Sequence, residues 1–279
     1  MRTGTVILAI SFMVFLVTIL NAINVEMKEP IVKSISDGET VELGTIGPGQ
    51  TLALTVKGTE IGKGGLQANW GVLGVLEVPT GWQGFDSDVY AKNMKATIKA
   101  DSNAPDGIYL VKLILTECED KFAECSFQQG LGKITFYGKI RISRDVMNTN
   151  IKQVDMTTGI GQPARYPIKI ENKGAANDIF EISVEGIPEW NFIKRVYVAA
   201  GETLNTFYEI VPNEEKEYKP TITIKSISSD RLMQKYDVRL VSKSNVIGDI
   251  KATKNGVLIF PTTLEPLYSL MGILGYLIQ

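Results

Sequence analysis

Short segments in which apolar and polar residues alternate run through the middle of the chain, and they constrain its fold most. Residues 50–56 place Leu52, Leu54 and Val56 on one face, and residues 133–142 follow the same rule. Residues 108–115 are almost continuously apolar, which is typical of a strand covered on both faces. Long helical periodicity is absent between the terminal segments, so the pattern predicts an all-β chain of antiparallel β-sandwiches.

The N-terminus carries an uncharged apolar run over residues 6–20, preceded by Arg2 and extended as far as Val25. A membrane-spanning helix needs about 20 mostly apolar residues, and the run meets that length. Cleavage after Ala22 would place Leu20 where a signal peptidase prefers a small residue, so an uncleaved anchor is favoured over a removed signal peptide. We therefore expect residues 1–25 to be a transmembrane signal anchor, with the following domains on the extracytoplasmic side of the cell membrane.

The C-terminal segment, residues 251–279, is also hydrophobic and is interrupted by Pro261 and Pro266. The part after Pro266 is short for a full membrane span, so it suits a re-entrant or interfacial helix, or a helix that docks on a membrane protein. The alternative is a last strand and helix that close the second domain. The residues predicted to contact membrane or partner are Leu267, Leu270, Gly272, Leu274, Gly275 and Leu277.

The composition excludes several kinds of chemistry. The chain has no histidine, which excludes histidine-based catalytic triads and histidine-ligated metal sites. Its net charge of −2 shows no basic footprint for nucleic acid. Asp86 and Asp88 could offer oxygens to calcium, but a solvated turn is the favoured interpretation. We expect no enzyme activity, no cofactor, no metal and no nucleic-acid partner.

The two cysteines, Cys118 and Cys125, lie close together between two predicted strands. In an exported protein such a pair predicts a local disulfide that pins a hairpin connection. The alternative is half of a metal site, but the chain offers no second pair of thiolates to complete one.

Two blocks of the chain, residues 26–146 and 147–250, have the pattern of diverged copies of one unit. A proline shortly before a tryptophan occurs at Pro79 to Trp82 and again at Pro188 to Trp190. Each tryptophan is expected to pack at the end of a sandwich, with a sugar-binding platform as the sharper alternative. Tyr109 is expected to be a corner tyrosine of the first block, as is Tyr218 in the second.

The second block also carries three longer motifs. Residues 161–174 read G-Q-x-x-x-Y-x-I-x-I-x-N-x-G, residues 178–190 read D-x-F-x-I-x-V-x-G-x-P-x-W, and residues 196–203 read V-x-V-x-x-G-E-T. This block resembles the immunoglobulin-like repeats of archaeal and bacterial surface proteins and predicted membrane proteins, including glycosidase-associated and CARDB-like β-sandwich repeats. The resemblance implies an immunoglobulin-like fold, and it implies a role as spacer, adhesive module or scaffold arm.

Together these features predict two tandem immunoglobulin-like β-sandwiches with an N-terminal transmembrane helix and a C-terminal hydrophobic, membrane-associated segment. The expected role is that of a membrane-anchored structural, adhesion or scaffold protein of the cell envelope. Its expected partners are membrane lipid and other envelope or membrane proteins. Two alternatives are an accessory subunit of a membrane complex, docked by the C-terminal helix, and a glycan-binding module that uses Trp82 or Trp190.

Overall fold

The computed structural model of the chain describes residues 25–58, 70–89, 91–118 and 132–243. Every regular element within these ranges is a β-strand, so the predicted all-β class is confirmed for them. Among the same residues no helix is long and apolar enough to cross a membrane. Val25 begins the first strand, whereas the rest of the predicted anchor and the predicted segment 251–279 lie outside the described ranges.

The described residues form two compact units, and each is built from more than one stretch of sequence. The second unit contains the chain from Ile142 onward and also two short segments from earlier in the sequence, Thr45–Thr51 and Ser102–Asp106. The first unit contains the remaining described residues before Ile142.

The first unit contains two sheets. Its strands are β1 (Val25–Glu29), β2 (Lys33–Ile35), β3 (Thr40–Ile46), β4 (Thr51–Lys57), β5 (Trp70–Glu77), β6 (Gln83–Phe85), β7 (Met94–Lys99), β8 (Gly107–Glu117) and β9 (Gly132–Ile142), of which β3, β4 and β9 each reach into segments of the second unit. One sheet has the order β2-β1-β4-β7-β6 and the other β3-β9-β8-β5. Leu52, Leu54 and Val56 are fully buried along β4, which confirms the face that their alternation predicts.

Strand β8 differs from its prediction in its first half. The apolar run is buried on both faces only from Leu113 onward, whereas Ile108 is 51% and Leu110 57% exposed. The pairing of β5 with β8 ends at Lys112, opposite Glu77, so within the described ranges β5 does not extend along the start of β8. A continuous apolar run reports the average environment of a strand and does not show where its neighbour stops.

The second unit contains three sheets that share one core. Its strands are β10 (Met147–Ile151), β11 (Asp155–Thr158), β12 (Ala164–Asn172), β13 (Asp178–Glu185), β14 (Lys194–Val198), β15 (Thr203–Ile210), β16 (Glu217–Tyr218), β17 (Thr221–Ser226), β18 (Met233–Asp237) and β19 (Arg239–Ser242). The sheet orders are β10-β12-β15, β14-β13-β17-β18 and β11-β19-β16.

This strand order is that of an immunoglobulin-like sandwich. Strand β10 pairs with β12 in one layer, and the chain then crosses so that β11 pairs in parallel with β19 in the other. Buried side chains from all three sheets, including Tyr166, Phe180 and Leu240, pack into one hydrophobic cluster. Three sheets over a single core, with the chain passing from the sheet of β12 to that of β19 between β10 and β11, match the immunoglobulin-like architecture that the resemblance implies.

Side chains bridge both lateral sides of the second sandwich. On one side the Tyr236 hydroxyl of β18 donates to the Thr149 carbonyl of β10 at 2.6 Å, and Gln234 Oε1 accepts from the Thr149 backbone N–H at 3.1 Å. On the other side Lys194 Nζ donates to the Phe207 carbonyl of β15 at 2.7 Å. Open strand edges are templates for pairing with another chain, and these bridges occupy backbone groups that such pairing would need.

Candidate interaction surface

Only some of the predicted site residues lie within the described ranges. Cys118 follows β8 directly and is 5% exposed, whereas Cys125 lies outside the described residues. The six predicted contact residues between Leu267 and Leu277 lie outside them as well. The disulfide and the contacts of the C-terminal segment therefore stay predictions.

The paired aspartates after β6 serve the backbone of the first unit. Asp86 Oδ1 accepts a hydrogen bond from the Val75 backbone N–H at 2.8 Å, and the Ser87 N–H donates to the Leu73 carbonyl at 2.9 Å. These bonds join the segment after β6 to β5, and Asp88 is exposed. In the part of the chain that the structure describes, no group of three or more metal-ligating residues is placed to hold an ion.

The proline–tryptophan motifs form the same turn in the two units. The Trp82 N–H donates to the Pro79 carbonyl at 3.1 Å, and the Trp190 N–H donates to the Ile187 carbonyl at 3.4 Å. The residue before each tryptophan has a positive φ, +83° at Gly81 and +60° at Glu189. A four-residue turn with a left-handed third residue is a type II turn, which begins at Pro79 in the first unit and at Ile187 in the second.

The two tryptophan rings have different surroundings. Trp82 is 6% exposed and its ring centroid lies 5.2 Å from that of Tyr109, so it offers little surface to a ligand. Trp190 is only partly buried and packs against the core of the second unit, with Phe192 at 6.2 Å. Phe192 is half exposed and also lies 5.9 Å from Tyr208, so an aromatic cluster reaches from the core to the surface here.

The corner tyrosine that the sequence predicts in the second unit is present. The Tyr218 hydroxyl donates to the Glu214 carbonyl at 3.3 Å, four residues upstream, and the ring is buried. Lys216 Nζ lies 4.9 Å from the centre of the same ring, which adds a cation–π contact. This tyrosine therefore ties the two ends of its turn together.

Asp178, the first residue of the motif over residues 178–190, is a buried carboxylate at one end of the second unit. Asp178 is 2% exposed, and its Oδ2 accepts from Gln50 Nε2 and from Ser226 Oγ, both at 2.6 Å. Its Oδ1 accepts from the Ile179 N–H at 2.8 Å and from Ser228 Oγ at 2.9 Å. Four donors satisfy the carboxylate, so its burial is compensated. Gln50 precedes it by 128 residues, so no local motif signals the cluster.

The outward face of the sheet β14-β13-β17-β18 carries a row of exposed apolar side chains. Tyr197 is 59%, Ile179 42% and Ile227 48% exposed. Ile179 lies opposite Tyr197 in the β13–β14 pair, and the Ile227 N–H donates to the Ile179 carbonyl at 2.9 Å, so the three residues are neighbours. We refer to Tyr197, Ile179 and Ile227 as the apolar row.

A charged row runs beside the apolar row on the same sheet. Glu181 lies between Arg195, at 3.1 Å, and Lys225, at 3.4 Å, and its side chain is only 12% exposed. Burial acts to raise the pKa of Glu181, but hydrogen bonds from Arg195 and Lys225 outweigh it and hold the pKa below its ordinary value. The face therefore combines an apolar stripe with a fixed ion-pair network, an arrangement typical of protein contact surfaces.

Comparison with known proteins adds only fold-level likenesses. No protein-family model matches the chain, and no curated protein matches it. The fibronectin(III)-like modules of Clostridium thermocellum CbhA are 10% identical, cover 78% of this chain and 94% of theirs, and have a TM-score of 0.27. A chimeric titin Z1Z2 carrying a decorin peptide is 13% identical, covers 80% and 99%, and has a TM-score of 0.34. A β-glucosidase from Listeria innocua is 8% identical over 43% of this chain and 19% of its own, with a TM-score of 0.26.

The first two of these structures are immunoglobulin-like or fibronectin-type modules, the class of fold that the strand order of the second unit shows independently. TM-scores this low carry no argument about function. The function of the chain has to be argued from its own surfaces.

Proposed function

We propose that the chain is a membrane-anchored scaffold or adhesion protein on the outer side of a cell membrane, acting through protein contacts of its β-sandwich units. The observation that carries the proposal is the apolar row formed by Tyr197, Ile179 and Ile227 beside the Arg195–Glu181–Lys225 network. Exposed apolar patches bordered by polar residues mark contact sites, and tyrosine and arginine are enriched in them.

The bridged sides of the second sandwich support contact through a face over contact through an edge. A partner strand that added at β15 would have to displace Lys194 from the Phe207 carbonyl. A partner that covers the apolar row leaves this bond intact and removes three large apolar side chains from water. At about 25 cal/mol per Å² of buried apolar area, such burial contributes several kcal/mol to binding.

Attachment to a membrane is proposed from the sequence. The run at residues 6–20 and the segment 257–279 are long or apolar enough to contact lipid, and the β-rich chain between them lacks such segments. An anchor that precedes domains of this kind is typical of proteins displayed outside the cytoplasm.

Protease treatment of cells tests the orientation. If the β-sandwich domains lie outside, a protease added to intact source cells should degrade them. If they lie inside, the protease should degrade them only after the cells are lysed. Alkaline carbonate extraction of membranes supplies the second readout, because an anchored chain stays in the pellet. Domains that intact cells protect from the protease would contradict the proposal.

Photocrosslinking tests the contact face. A photoreactive phenylalanine in place of Tyr197 should capture a specific envelope protein on living cells. The same group in place of Phe207, which is 42% exposed on the other layer, is the matched control and should capture it less. Equal capture at the two positions would contradict a role for the apolar row.

A second candidate is an accessory subunit of a membrane complex, docked by the C-terminal helix. The feature that favours it is the pair Gly272 and Gly275 within an apolar segment, since small residues let helices approach closely in lipid. Deletion of residues 266–279 should then release co-purifying membrane subunits, and unchanged co-purification would contradict it. Glycan binding at Trp190 is a weaker possibility that titration of tryptophan fluorescence with a glycan panel tests.

A further inference from the structure

The described chain leaves the second unit at one identifiable end. The Ser242 N–H donates to the Lys216 carbonyl at 3.0 Å, and the Lys243 N–H donates to the Thr158 carbonyl at 2.9 Å. The exit of the chain toward its C-terminal segment is therefore tied to the turn that contains Glu214 and Lys216.

The loop between β13 and β14, residues 186–193, lies at the same end. Asn213 Nδ2, from the turn that also contains Lys216, donates to Glu189 Oε2 at 3.1 Å. The loop and the chain exit are thus both held against one turn. The loop presents Phe192 and Ile193 to solvent at 50% and 49% exposure, and Phe207 of the adjacent β15 is 42% exposed.

This loop is held in one shape although its side chains are exposed. The Tyr208 hydroxyl donates to the Phe192 carbonyl, and the Trp190 ring packs against both Phe192 and the core. Glu189 keeps a positive φ of 60°, a conformation that costs about 1 kcal/mol or more for a residue other than glycine. The surroundings therefore order an apolar tip that stays about half exposed within the unit.

The sequence after Lys243 indicates what covers this tip. A polar stretch, residues 244–256, separates the chain exit from the apolar segment 257–279. Thirteen residues span at most about 45 Å when extended, so the apolar segment begins within reach of the loop. If that segment enters a bilayer, the end of the unit that carries Phe192 and Ile193 is held near the lipid surface.

We propose that the loop Trp190–Asn191–Phe192–Ile193 inserts into the interfacial layer of the membrane beside the point where the C-terminal segment enters it. This inference rests on the membrane attachment in the proposed function. Tryptophan and phenylalanine favour the interface between head groups and acyl chains. Lys194 Nζ and Arg165 Cζ lie 4.4 and 5.1 Å from the centre of the Phe207 ring, where their charged ends stay at the level of the head groups.

The charges at this end of the unit predict whether insertion of the loop requires a charged lipid head group. Glu189, Glu209 and Glu214 accompany Lys194, Arg165 and Lys216, so these groups carry no excess of positive charge. Insertion therefore depends on apolar contact and should occur on a neutral phosphatidylcholine surface and persist at high salt.

Quenching of Trp190 fluorescence by lipid tests the inference. The full chain is reconstituted into phosphatidylcholine vesicles whose acyl chains are brominated close to the head group. The double variant Trp70→Phe/Trp82→Phe retains Trp190 as the probe, and Trp70→Phe/Trp190→Phe retains Trp82, which is 6% exposed, as the control. Trp190 should lose a large part of its emission while Trp82 keeps its own.

A second pair of variants covers the case in which these double variants do not fold. Phe192→Asp in the otherwise natural chain should reduce the quenching toward the level in unbrominated vesicles. Met233→Asp changes an apolar side chain of similar exposure, 45%, on β18 outside both the loop and the apolar row, and should leave the quenching unchanged. Equal effects of the two substitutions would overturn the inference.

Flotation of the vesicles separates the two proposals. A chain that does not float with the vesicles contradicts the membrane attachment. A chain that floats but whose Trp190 is not quenched leaves the attachment intact and overturns the insertion of the loop. Blue-shifted Trp190 emission without quenching indicates that the C-terminal segment or another protein covers the loop, and it also overturns the insertion. Quenching by soluble oligosaccharides in place of lipid overturns the insertion as well.

Discussion

Asp178→Asn is the substitution that most directly tests the account of the second unit. The change preserves the shape of the side chain but replaces Oδ2, which accepts from Gln50 Nε2 and Ser226 Oγ at 2.6 Å, by an amino group. The donors Gln50 Nε2 and Ser226 Oγ then face the new amino group, which is itself a donor. Gln50 cannot resolve this by turning its amide, because its Oε1 already accepts from the Gly47 N–H at 2.7 Å.

The expected loss is about 3–6 kcal/mol in the free energy of unfolding of the second unit. A hydrogen bond to a charged group contributes about 1.5–3 kcal/mol, and Asp178→Asn disrupts two such bonds at a site that is 2% exposed. Gln50→Ala removes one of them and should cost about 1.5–3 kcal/mol. Because the two residues share a bond, their effects should be less than additive by about 1–3 kcal/mol in a double-mutant cycle.

Chemical denaturation of the full chain in a mild detergent measures these quantities. Fluorescence of Trp190 in the Trp70→Phe/Trp82→Phe background reports on the second unit alone, because Trp190 packs against its core. Asp145→Asn is the matched control, since Asp145 pairs with Lys173 but its side chain is 84% exposed, and no measurable change is expected. An unfolding midpoint for Asp178→Asn that equals that of the control, or additive effects in the cycle, would refute the reasoning.

Three further outcomes are expected. In thermal melts, Gly81→Ala should destabilise the first unit by about 2 kcal/mol or more, because its φ is +83° and a Cβ would lie 2.2 Å from Asp101 Oδ2. Gly38→Ala, where φ is +78° and the space around a Cβ is open, should cost only about 1 kcal/mol in the same assay. Because the folded-state pKa of Glu181 is lowered, its stabilising effect should be complete above the unfolded pKa of about 4.3 and disappear as the pH falls through the folded pKa, so Glu181→Gln should show a flatter acid limb in pH-dependent denaturation. Tyr218→Phe loses the corner hydrogen bond and should lower the unfolding free energy by about 1 kcal/mol in urea titrations, and an unchanged midpoint would contradict that role.

The strands of this protein and some contacts within its turns can be predicted from its sequence. The alternation of Leu52, Leu54 and Val56 predicts a half-buried strand because side chains point to opposite faces with a period of two. The recurrence of the proline–tryptophan motifs is visible in the sequence, and the structure shows that each motif forms a turn. Tyr218 could be assigned as a corner tyrosine because its partner carbonyl is four residues away.

The candidate surfaces follow from pairings that no local pattern encodes. The apolar row depends on β13 lying between β14 and β17, which places Ile179 beside Tyr197 and Ile227. Each of the three residues alone reads as an ordinary strand or turn residue. The exposure of Ile108 and Leu110 has the same origin, because it depends on where β5 stops pairing with β8.

The amino-acid sequence alone determined the all-β class and the corner tyrosine, because each depends on contacts within a few residues or on a fixed side-chain period. The tertiary structure alone decided that Thr45–Thr51 and Ser102–Asp106 belong to the second unit, and that Gln50 satisfies a buried carboxylate 128 residues away. A buried charge is stable only when donors surround it in space, and the chain can bring those donors from any distance along its length.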